Sequence, residues 1–323
     1  FGIPRTNPTV HSATGESSQN PIIVSAHIDS AHSPGALDDG SGSAILLEIA
    51  TLLNDLRYQP PNDLYLVWFG SEEIGLYGSS YFTTTHSDLL NRVQANIQAD
   101  CLTRPLQGLP ATLLLMFSHT STGAIPSDPF GSHLIQIGQQ MEILYGTTFW
   151  PFASDNGNFS AFGIPNVNLI YESMEMSNYP GGVWVAGHLH EPYDTVERVQ
   201  EVEDELIELT RFTLSAALTP IPPSGYVNHR TDKLAVFIAS HTEPPHMTPS
   251  GLSNFSLALR RSGYQIKVIP YGSPVTDKEL AGADLVIVLP VIDYPIAGLS
   301  IDKYDTQWTP EEIAVVDKYL REG

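Results

Sequence analysis

Cysteine is almost absent from this chain of 323 residues. Cys101 is the only one, so an internal disulfide is impossible, and zinc sites built on two or more thiolates are excluded. Any metal site must therefore rely on His, Asp and Glu side chains.

Basic residues are also scarce, with 15 Lys plus Arg against 36 Asp plus Glu and a formal net charge of -21. Such a surface repels phosphate backbones and anionic lipids, so we expect no nucleic-acid partner. No apolar run approaches the roughly 18 residues that a membrane span needs, so we expect no membrane span. The low lysine content favours an extracellular location, and a start at Phe1 without a signal peptide suggests a mature or trimmed product.

The chain is long enough for two domains, and its pattern predicts two α/β units. We assign residues 1–219 to the first domain and residues 220–232 to a Pro-rich linker. Residues 233–323 follow a βαβαβα order, which implies a small parallel sheet with right-handed crossovers. That unit ends where another strand is expected, so we interpret it as truncated.

The first strand and the loop after it carry the densest polar pattern. The apolar run 21–26 predicts a buried strand that delivers His27 and Asp29 to its carboxyl end, where open α/β sheets keep their sites. Asp38 and Asp39 stand just before a helix predicted over about 42–57. Taken alone, these residues are as compatible with solvated or helix-capping groups as with a metal site.

Acidic and imidazole side chains recur at later element ends. Glu72 and Glu73 follow a second β-prone run at 63–70, where they fit either the first turn of a helix or a metal ligand beside a proton acceptor. Asp100 ends a third run, and His190 lies on the loop before a helix predicted over about 195–218. Together these side chains supply five ligands and one spare carboxylate, which fit a two-zinc centre bridged by a carboxylate.

Six ordered motifs carry a family resemblance over about residues 20–215. They are His27-x-Asp29, the GALDDGSG run at 35–42, the EEIGLYGS run at 72–79, Asp100, Ser154-Asp155 followed by Gly-Ile-Pro at 163–165, and His190-x-x-x-Asp194-Thr195. In order and spacing they resemble the co-catalytic di-zinc exopeptidases, which include secreted leucyl-type aminopeptidases and glutamate carboxypeptidase relatives. The resemblance implies an α/β fold with a mixed, mostly parallel central sheet flanked by helices.

The resemblance also implies two Zn²⁺ ions per chain and a role for each motif residue. Asp38 would bridge both ions, His27 and Asp100 would complete one site, and Glu73 and His190 the other. A metal-bridging water would attack the peptide, with Glu72 as the general base.

The resemblance further implies that three aspartates support the ligands. Asp29 and Asp194 would orient the imidazole ligands by accepting their second N–H, and Asp39 would support the bridging carboxylate.

The segment 149–165 is rich in aromatic and turn residues, and a strand is predicted after it from Asn166 to Tyr171. Its aromatics are compatible with plain core or with an apolar substrate pocket. As pocket candidates we take Asp155, Tyr171 and Met174, with Tyr171 and Tyr193 as possible partners of the reaction's oxyanion.

The sequence thus predicts a zinc-dependent exopeptidase, an aminopeptidase that removes apolar N-terminal residues from peptide substrates. The alternatives are a carboxypeptidase, a glutaminyl-cyclase-like acyltransferase on the same fold, or a non-catalytic scaffold or filament subunit. The second domain resembles flavodoxin-like modules related to class I glutamine amidotransferases but lacks their cysteine, so we expect it to make protein–protein contacts.

Overall fold

The computed structural model describes ten segments of the chain, with residue ranges 20–102, 111–118, 129–149, 154–175, 183–185, 190–221, 233–241, 250–270, 272–289 and 308–322. The sequence predicts an irregular lead-in before residue 20, and this segment lies outside the described residues, as does the Pro-rich linker beyond Ile221.

Ten strands are described. They are β1 (Ile22–His27), β2 (Leu64–Phe69), β3 (Ala95–Leu102), β4 (Ala111–Phe117), β5 (Tyr145–Phe149), β6 (Asn166–Glu175), β7 (Val183–Val185), β8 (Leu234–Ile238), β9 (Gln265–Ile269) and β10 (Leu285–Val288).

Ten helices are described between and after these strands. They are α1 (Gly40–Asp55), α2 (Tyr77–Thr85), α3 (Ser87–Leu90), α4 (Pro129–Gln140), α5 (Asn156–Ser160), α6 (Val196–Gln200), α7 (Glu203–Leu218), α8 (Ser250–Arg261), α9 (Asp277–Leu280) and α10 (Pro310–Glu322).

The first sheet is mixed and mostly parallel, which confirms the predicted fold class. Its strand order is β2-β1-β3-β6-β4-β5, and β7 pairs with β6. Strands β2, β1, β3 and β6 run parallel to one another, whereas β4 is antiparallel to β6 and parallel to β5. The carboxyl ends of β1, β2 and β3 therefore meet along one edge of the sheet.

Both faces of the central strands are covered. Ile22, Ile23 and Val24 are each completely buried although successive side chains of β1 point to opposite faces. Helices α1, α4 and α7 supply apolar side chains to the core on the Ile22 face. This double coverage is what a continuous apolar strand predicts.

Helix α1 begins at Gly40, slightly earlier than predicted, because Asp39 caps it. The Asp39 carboxylate accepts a hydrogen bond from the Gly42 N–H at 2.9 Å. A Cβ on Gly42 would lie 2.2 Å from the Ala99 carbonyl oxygen, so only glycine lets the first turn of α1 approach β3 this closely.

Three sequence expectations differ in detail from the structure. The sequence also predicts a helix over about 129–145, but α4 ends at Gln140, and the β-prone residues after it form β5 beside β4. The helix predicted over about 195–218 is divided into α6 and α7, because the acidic residues 203–205 favour a new helix start. The turn-rich segment around 154–165 contains α5.

The second sheet has the order β10-β8-β9 and is entirely parallel, as predicted. One of its faces joins the same apolar cluster as Phe69 and Phe159 of the first unit. Among the described residues, no helix is long and apolar enough to cross a bilayer.

Candidate metal centre

The predicted ligands meet at the edge formed by the carboxyl ends of β1, β2 and β3. His27 is the last residue of β1, and Asp100 lies near the end of β3. Asp38 sits just before α1, and the peptide bond that joins it to Asp39 is cis. The sheet order therefore brings together residues that are far apart in the sequence.

One group of possible ligands surrounds the His27 ring. Its Nε2 atom lies 3.0 Å from Asp38 Oδ1 and 3.3 Å from Asp100 Oδ1. All three side chains are almost completely buried. One imidazole and two carboxylates at this spacing form a donor set that suits zinc.

A second group surrounds the His190 ring, which is 53% exposed. Its Nε2 atom lies 3.0 Å from Asp38 Oδ2 and 3.1 Å from Glu73 Oε2. Asp38 thus directs one carboxylate oxygen to each imidazole, which is the arrangement of a carboxylate shared by two ions. In each group the possible ligand atoms lie within 4.8 Å of one another, as do those of His27, Glu72 and Glu73.

The electrostatics of the cluster favour a bound cation. Burial alone would lower the pKa of the His27 imidazole, but the carboxylates of Asp100, Asp29 and Asp38 raise it far above its usual value. Burial opposes ionisation of Asp100, yet its hydrogen bond and charge interaction with His27 lower the pKa of that carboxyl. Positive charge is therefore strongly favoured at this point of the protein.

The two adjacent glutamates respond in the opposite direction. Burial, with the negative charge of Asp100 and other carboxylates, raises the pKa of Glu72 to about 9. Burial and the Asp38 carboxylate also raise the pKa of Glu73. A cation bound in the cluster would lower both values and make Glu72 available as a carboxylate.

Asp39 supports the loop that carries Asp38, and it does so through main-chain donors. Its carboxylate accepts hydrogen bonds from the N–H groups of His27 at 2.9 Å and Cys101 at 3.1 Å, in addition to its cap on α1. The Asp39 carboxylate is thus hydrogen-bonded to β1, β3 and α1 at once.

Asp29 lies beside His27, but its contacts differ from the expectation. The Nδ1 atom of His27 is 3.0 Å from the Asp29 main-chain oxygen, whereas the Asp29 carboxylate is 3.7 Å away, outside hydrogen-bond distance. That carboxylate accepts instead from the N–H groups of Glu72 at 3.1 Å and Glu73 at 3.2 Å.

Asp194 also supports the centre in a different way from the one expected. Its buried carboxylate accepts hydrogen bonds from the main-chain N–H of Leu37 and from that of Asp38, the latter at 3.3 Å. It therefore holds the main chain of the bridging residue, rather than the imidazole of His190.

The structure describes the side chains of two of the three pocket candidates. Tyr171 is 2% exposed within the core beneath α7, and its hydroxyl donates to Glu208, so its pocket or oxyanion role stays a prediction. Asp155 is completely buried and accepts a hydrogen bond from Ser79. For Met174 only the main chain is described, in β6 opposite Trp184 of β7. Both faces of β6 are covered, so alternation could not assign the Tyr171 side chain to a face.

The structure adds one residue that the sequence reasoning missed. Asn168 of β6 is buried beside β3, and its Nδ2 atom donates to Asp100 Oδ2 at 3.3 Å. A polar side chain between the apolar residues Val167 and Leu169 was the available signal.

The chain is similar to a known protein family and to individual proteins of known activity. The sequence profile described as Peptidase family M28 matches residues 9–212, more than half of the chain. Leucine aminopeptidase 1 of Neurospora crassa is 27% identical over 213 residues, covering 61% of this chain and 49% of that protein. Aminopeptidase YwaD of Bacillus subtilis is 27% identical over 184 residues, covering 56% of this chain and 37% of that protein.

A solved structure shares the fold. BSAP, a zinc aminopeptidase from Bacillus subtilis, matches with a TM-score of 0.50 and 25% identity, covering 65% of this chain and 48% of that chain. The present chain spans about half the length, or less, of these relatives.

Proposed function

Because the chain belongs to Peptidase family M28, we propose that it is a zinc-dependent aminopeptidase that hydrolyses the N-terminal peptide bond of peptides. The observation that carries this proposal is the shared Asp38 carboxylate, with one oxygen 3.0 Å from the ring of His27 and the other 3.0 Å from that of His190. The fold neighbour named a zinc aminopeptidase supports the same metal and reaction.

Two zinc ions would be held by residues that the fold gathers at one edge of the sheet. His27 and Asp100 would hold one ion, Glu73 and His190 the other, and Asp38 both. When bound, the ions would supply a lowered pKa for a water molecule and polarisation of the scissile carbonyl. The donor set of imidazole and carboxylate groups fits zinc, and the cluster favours positive charge.

Glu72 would carry out the proton transfers. Its carboxylate stands within the same cluster as His27 and Glu73, and Asp29 fixes its main chain. It would take a proton from the attacking water and return it to the leaving amine. The presence of Glu72 beside all five proposed ligands favours an enzyme over a non-catalytic scaffold.

We test the role of Glu72 with Glu72→Gln and a matched control, Glu48→Gln, on the exposed side of α1. Glu72→Gln should keep about two zinc ions per chain but lose roughly 10²–10⁴-fold in kcat on an aminoacyl anilide, since it removes the proton acceptor. Glu48→Gln should behave as wild type. Activity retained by Glu72→Gln would refute the assigned mechanism.

Metal dependence is tested separately from turnover. Chelation should abolish activity and zinc should restore it, while Asp38→Ala should lose both ions because each shares that carboxylate. Zinc content measured by atomic emission separates the two-ion site from a one-ion site. A wild-type protein that holds no zinc after saturation and desalting would overturn the proposal.

The substrate class is proposed from the relatives. Preference for an apolar N-terminal residue is supported by the name leucine aminopeptidase of the Neurospora crassa relative. Leucyl anilide should then give a higher kcat/KM than glutamyl or lysyl anilide. An N-acetylated leucyl substrate should be inactive, and its cleavage would contradict aminopeptidase action.

An extracellular location is part of the same proposal. It is supported by the low lysine content of the chain. Cell fractionation of the native source, with detection by antibody, tests it; recovery of the protein only from cytosol would contradict it.

A further inference from the structure

The second α/β unit shares an apolar core with the peptidase unit. Successive inward residues of its sheet, such as Phe237 and Val268, are buried in one cluster with Phe69, Phe159 and Phe162. Alternation along a strand places such residues on one face, and that face is covered by the peptidase unit. An interface of this apolar kind disfavours relative movement of the two units.

A buried arginine reinforces the interface. Arg260, near the end of α8, is 9% exposed. Its guanidinium donates to the main-chain oxygens of Leu90 at 3.1 Å, Phe162 at 3.3 Å and Asn91 at 3.4 Å. A planar guanidinium with five N–H groups is suited to collecting several carbonyl oxygens at once.

Asn91 completes the contact at the open edge of the second sheet. Among the described strands β9 lies at the edge of its sheet, and the Asn91 side chain pairs with both main-chain groups of Ile266, donating at 3.1 Å and accepting at 3.0 Å. The amide thus takes the place of a neighbouring strand. Helix α8 also approaches the first unit closely at Gly163, where an added Cβ would lie 2.6 Å from the Leu257 nitrogen.

The helix between the second unit and the metal centre is α2. It lies against β9, and its Phe82 ring packs against Phe69 and Phe159. At its other end, the turn before α2 carries Glu72 and Glu73 and is closed by hydrogen bonds from Leu76 N–H to the Glu72 oxygen and from Gly78 N–H to the Gly70 oxygen.

A second helix is fastened to α2 at the same end. Ser79 of α2 donates to Asp155, next to α5, and Asn158 of α5 donates to Ser79 at 2.8 Å and to the Leu76 oxygen at 3.3 Å. Helix α5 in turn lies against α8 of the second unit. The second unit therefore contacts both helices that support the glutamate turn.

We propose that the second α/β unit is a permanent brace of the metal centre, which holds α2 and α5 and thereby fixes the Glu72–Glu73 turn, with Arg260 and Asn91 as positioning residues. The inference rests on the proposed function for the role of that turn. It assigns the second unit a partner within its own chain, in place of the protein–protein contact expected from the sequence.

The test compares Arg260→Met with Arg261→Met in the full chain. Methionine keeps a long apolar stem but removes the donors to the carbonyl oxygens, whereas Arg261 is exposed and serves as the matched control. Zinc affinity, kcat and KM are measured at a temperature where circular dichroism shows each variant folded.

We expect Arg260→Met to lose on the order of tenfold in zinc affinity and in kcat, with KM within about twofold of wild type, since hydrogen bonds to a charged group are lost. Arg260→Lys should recover part of the loss, and Arg261→Met should match wild type. A folded Arg260→Met with wild-type zinc affinity and kcat would overturn the brace. If Arg260→Met does not fold, Asn91→Ala, which removes only the pair with Ile266, is judged by the same criteria.

Hydrogen exchange separates this inference from the proposed function. Main-chain amides of α2 should exchange roughly tenfold faster in Arg260→Met than in Arg261→Met, whether or not the protein is active. Unchanged α2 exchange would refute the brace. A wild-type protein without zinc binding or peptidase activity would refute the proposed function while leaving the exchange result valid.

Discussion

The carboxylate of Asp29 accepts a hydrogen bond from the main-chain N–H of Glu72 at 3.1 Å. Its other oxygen accepts from the N–H of Glu73 at 3.2 Å, while its main-chain oxygen lies 3.0 Å from Nδ1 of His27. One residue therefore connects both groups of possible zinc ligands to the proposed general base. The two parts of Asp29 serve different purposes, because only the carboxylate holds the glutamate turn.

Asp29→Ala should leave the acceptor for His27 in place, since that acceptor is main-chain, but free the glutamate turn. We expect kcat to fall roughly 10–100-fold, with weaker zinc binding at the position that uses Glu73. Asp29→Asn keeps one acceptor and should lose less. The matched control is Asp55→Ala at the exposed end of α1, which should leave kcat and zinc binding unchanged. Equal kinetics of Asp29→Ala and wild type would exclude this positioning role.

Two glycines near the same turn allow a second prediction. A Cβ on Gly78 would lie 2.2 Å from the main-chain oxygen of Gly70, whereas a Cβ on Gly70 would meet no atom within 4 Å. Gly78→Ala should therefore destabilise the protein by about 1–3 kcal/mol through overpacking and displace the Glu72 turn. Denaturant unfolding and zinc titration measure both effects. Gly70→Ala is the control, and equal behaviour of the two variants would contradict the close approach.

Continuous apolar runs and spaced motifs predicted much of the architecture from the sequence. The run before His27 gave a buried strand because both of its faces are covered, and parallel strands necessarily bring their carboxyl ends to one edge. The same double coverage concealed which way Tyr171 points. A period of two identifies a face only where one side of the sheet is solvated.

Main-chain hydrogen bonds of loops were the part that residue types could not predict. Asp194 was expected beside an imidazole, yet its carboxylate binds the main chain of Leu37 and Asp38, because the loop conformation aims those N–H groups at it. The contact between the second unit and the first could not be predicted from the sequence either. The Pro-rich composition of 220–232 indicates a linker but says nothing about the surfaces on either side.

Asp155 provides a prediction about pH. Burial raises the pKa of this carboxyl to about 7, against an ordinary value of 3.8, so the folded state retains the proton between these pH values while the unfolded state releases it. The contribution of Asp155 to stability therefore decreases as pH rises from about 4 to 7. Asparagine has no proton to lose and can still accept from Ser79.

In metal-free protein, Asp155→Asn should consequently gain stability relative to wild type as pH rises from 4 to 7. The gain is at most about 4 kcal/mol, the free-energy equivalent of that pKa difference. Urea unfolding at several pH values measures it, with Asp88→Asn on the exposed side of α3 as the control. A stability difference that does not change with pH would show that Asp155 titrates normally.

Glu312 of the second unit predicts the opposite pH dependence. The residue is 6% exposed, and its carboxylate accepts from Val275 N–H at 3.1 Å, from Thr309 N–H at 2.9 Å and from the hydroxyl of Thr309 at 3.0 Å, with His241 Nε2 at 3.2 Å. Burial opposes its ionisation, but these hydrogen bonds lower the pKa of Glu312 below its ordinary value of 4.5. The ionised form therefore stabilises the fold above about pH 4.5, and that contribution is lost as pH falls through the lower folded-state pKa.

Glu312→Gln replaces one acceptor oxygen by an N–H donor, so it should cost about 1–3 kcal/mol of unfolding free energy at pH 7. The cost should shrink as pH falls below about 4.5, because wild type then loses its charge as well. Glu311→Gln, at the exposed neighbouring position, should cost little at either pH. Because the second sheet shares its core with the peptidase unit, a tryptophan signal and far-ultraviolet circular dichroism should report the same loss in one transition. Two separate unfolding transitions, of which only the one at lower denaturant concentration responds to Glu312→Gln, would show that the units unfold independently.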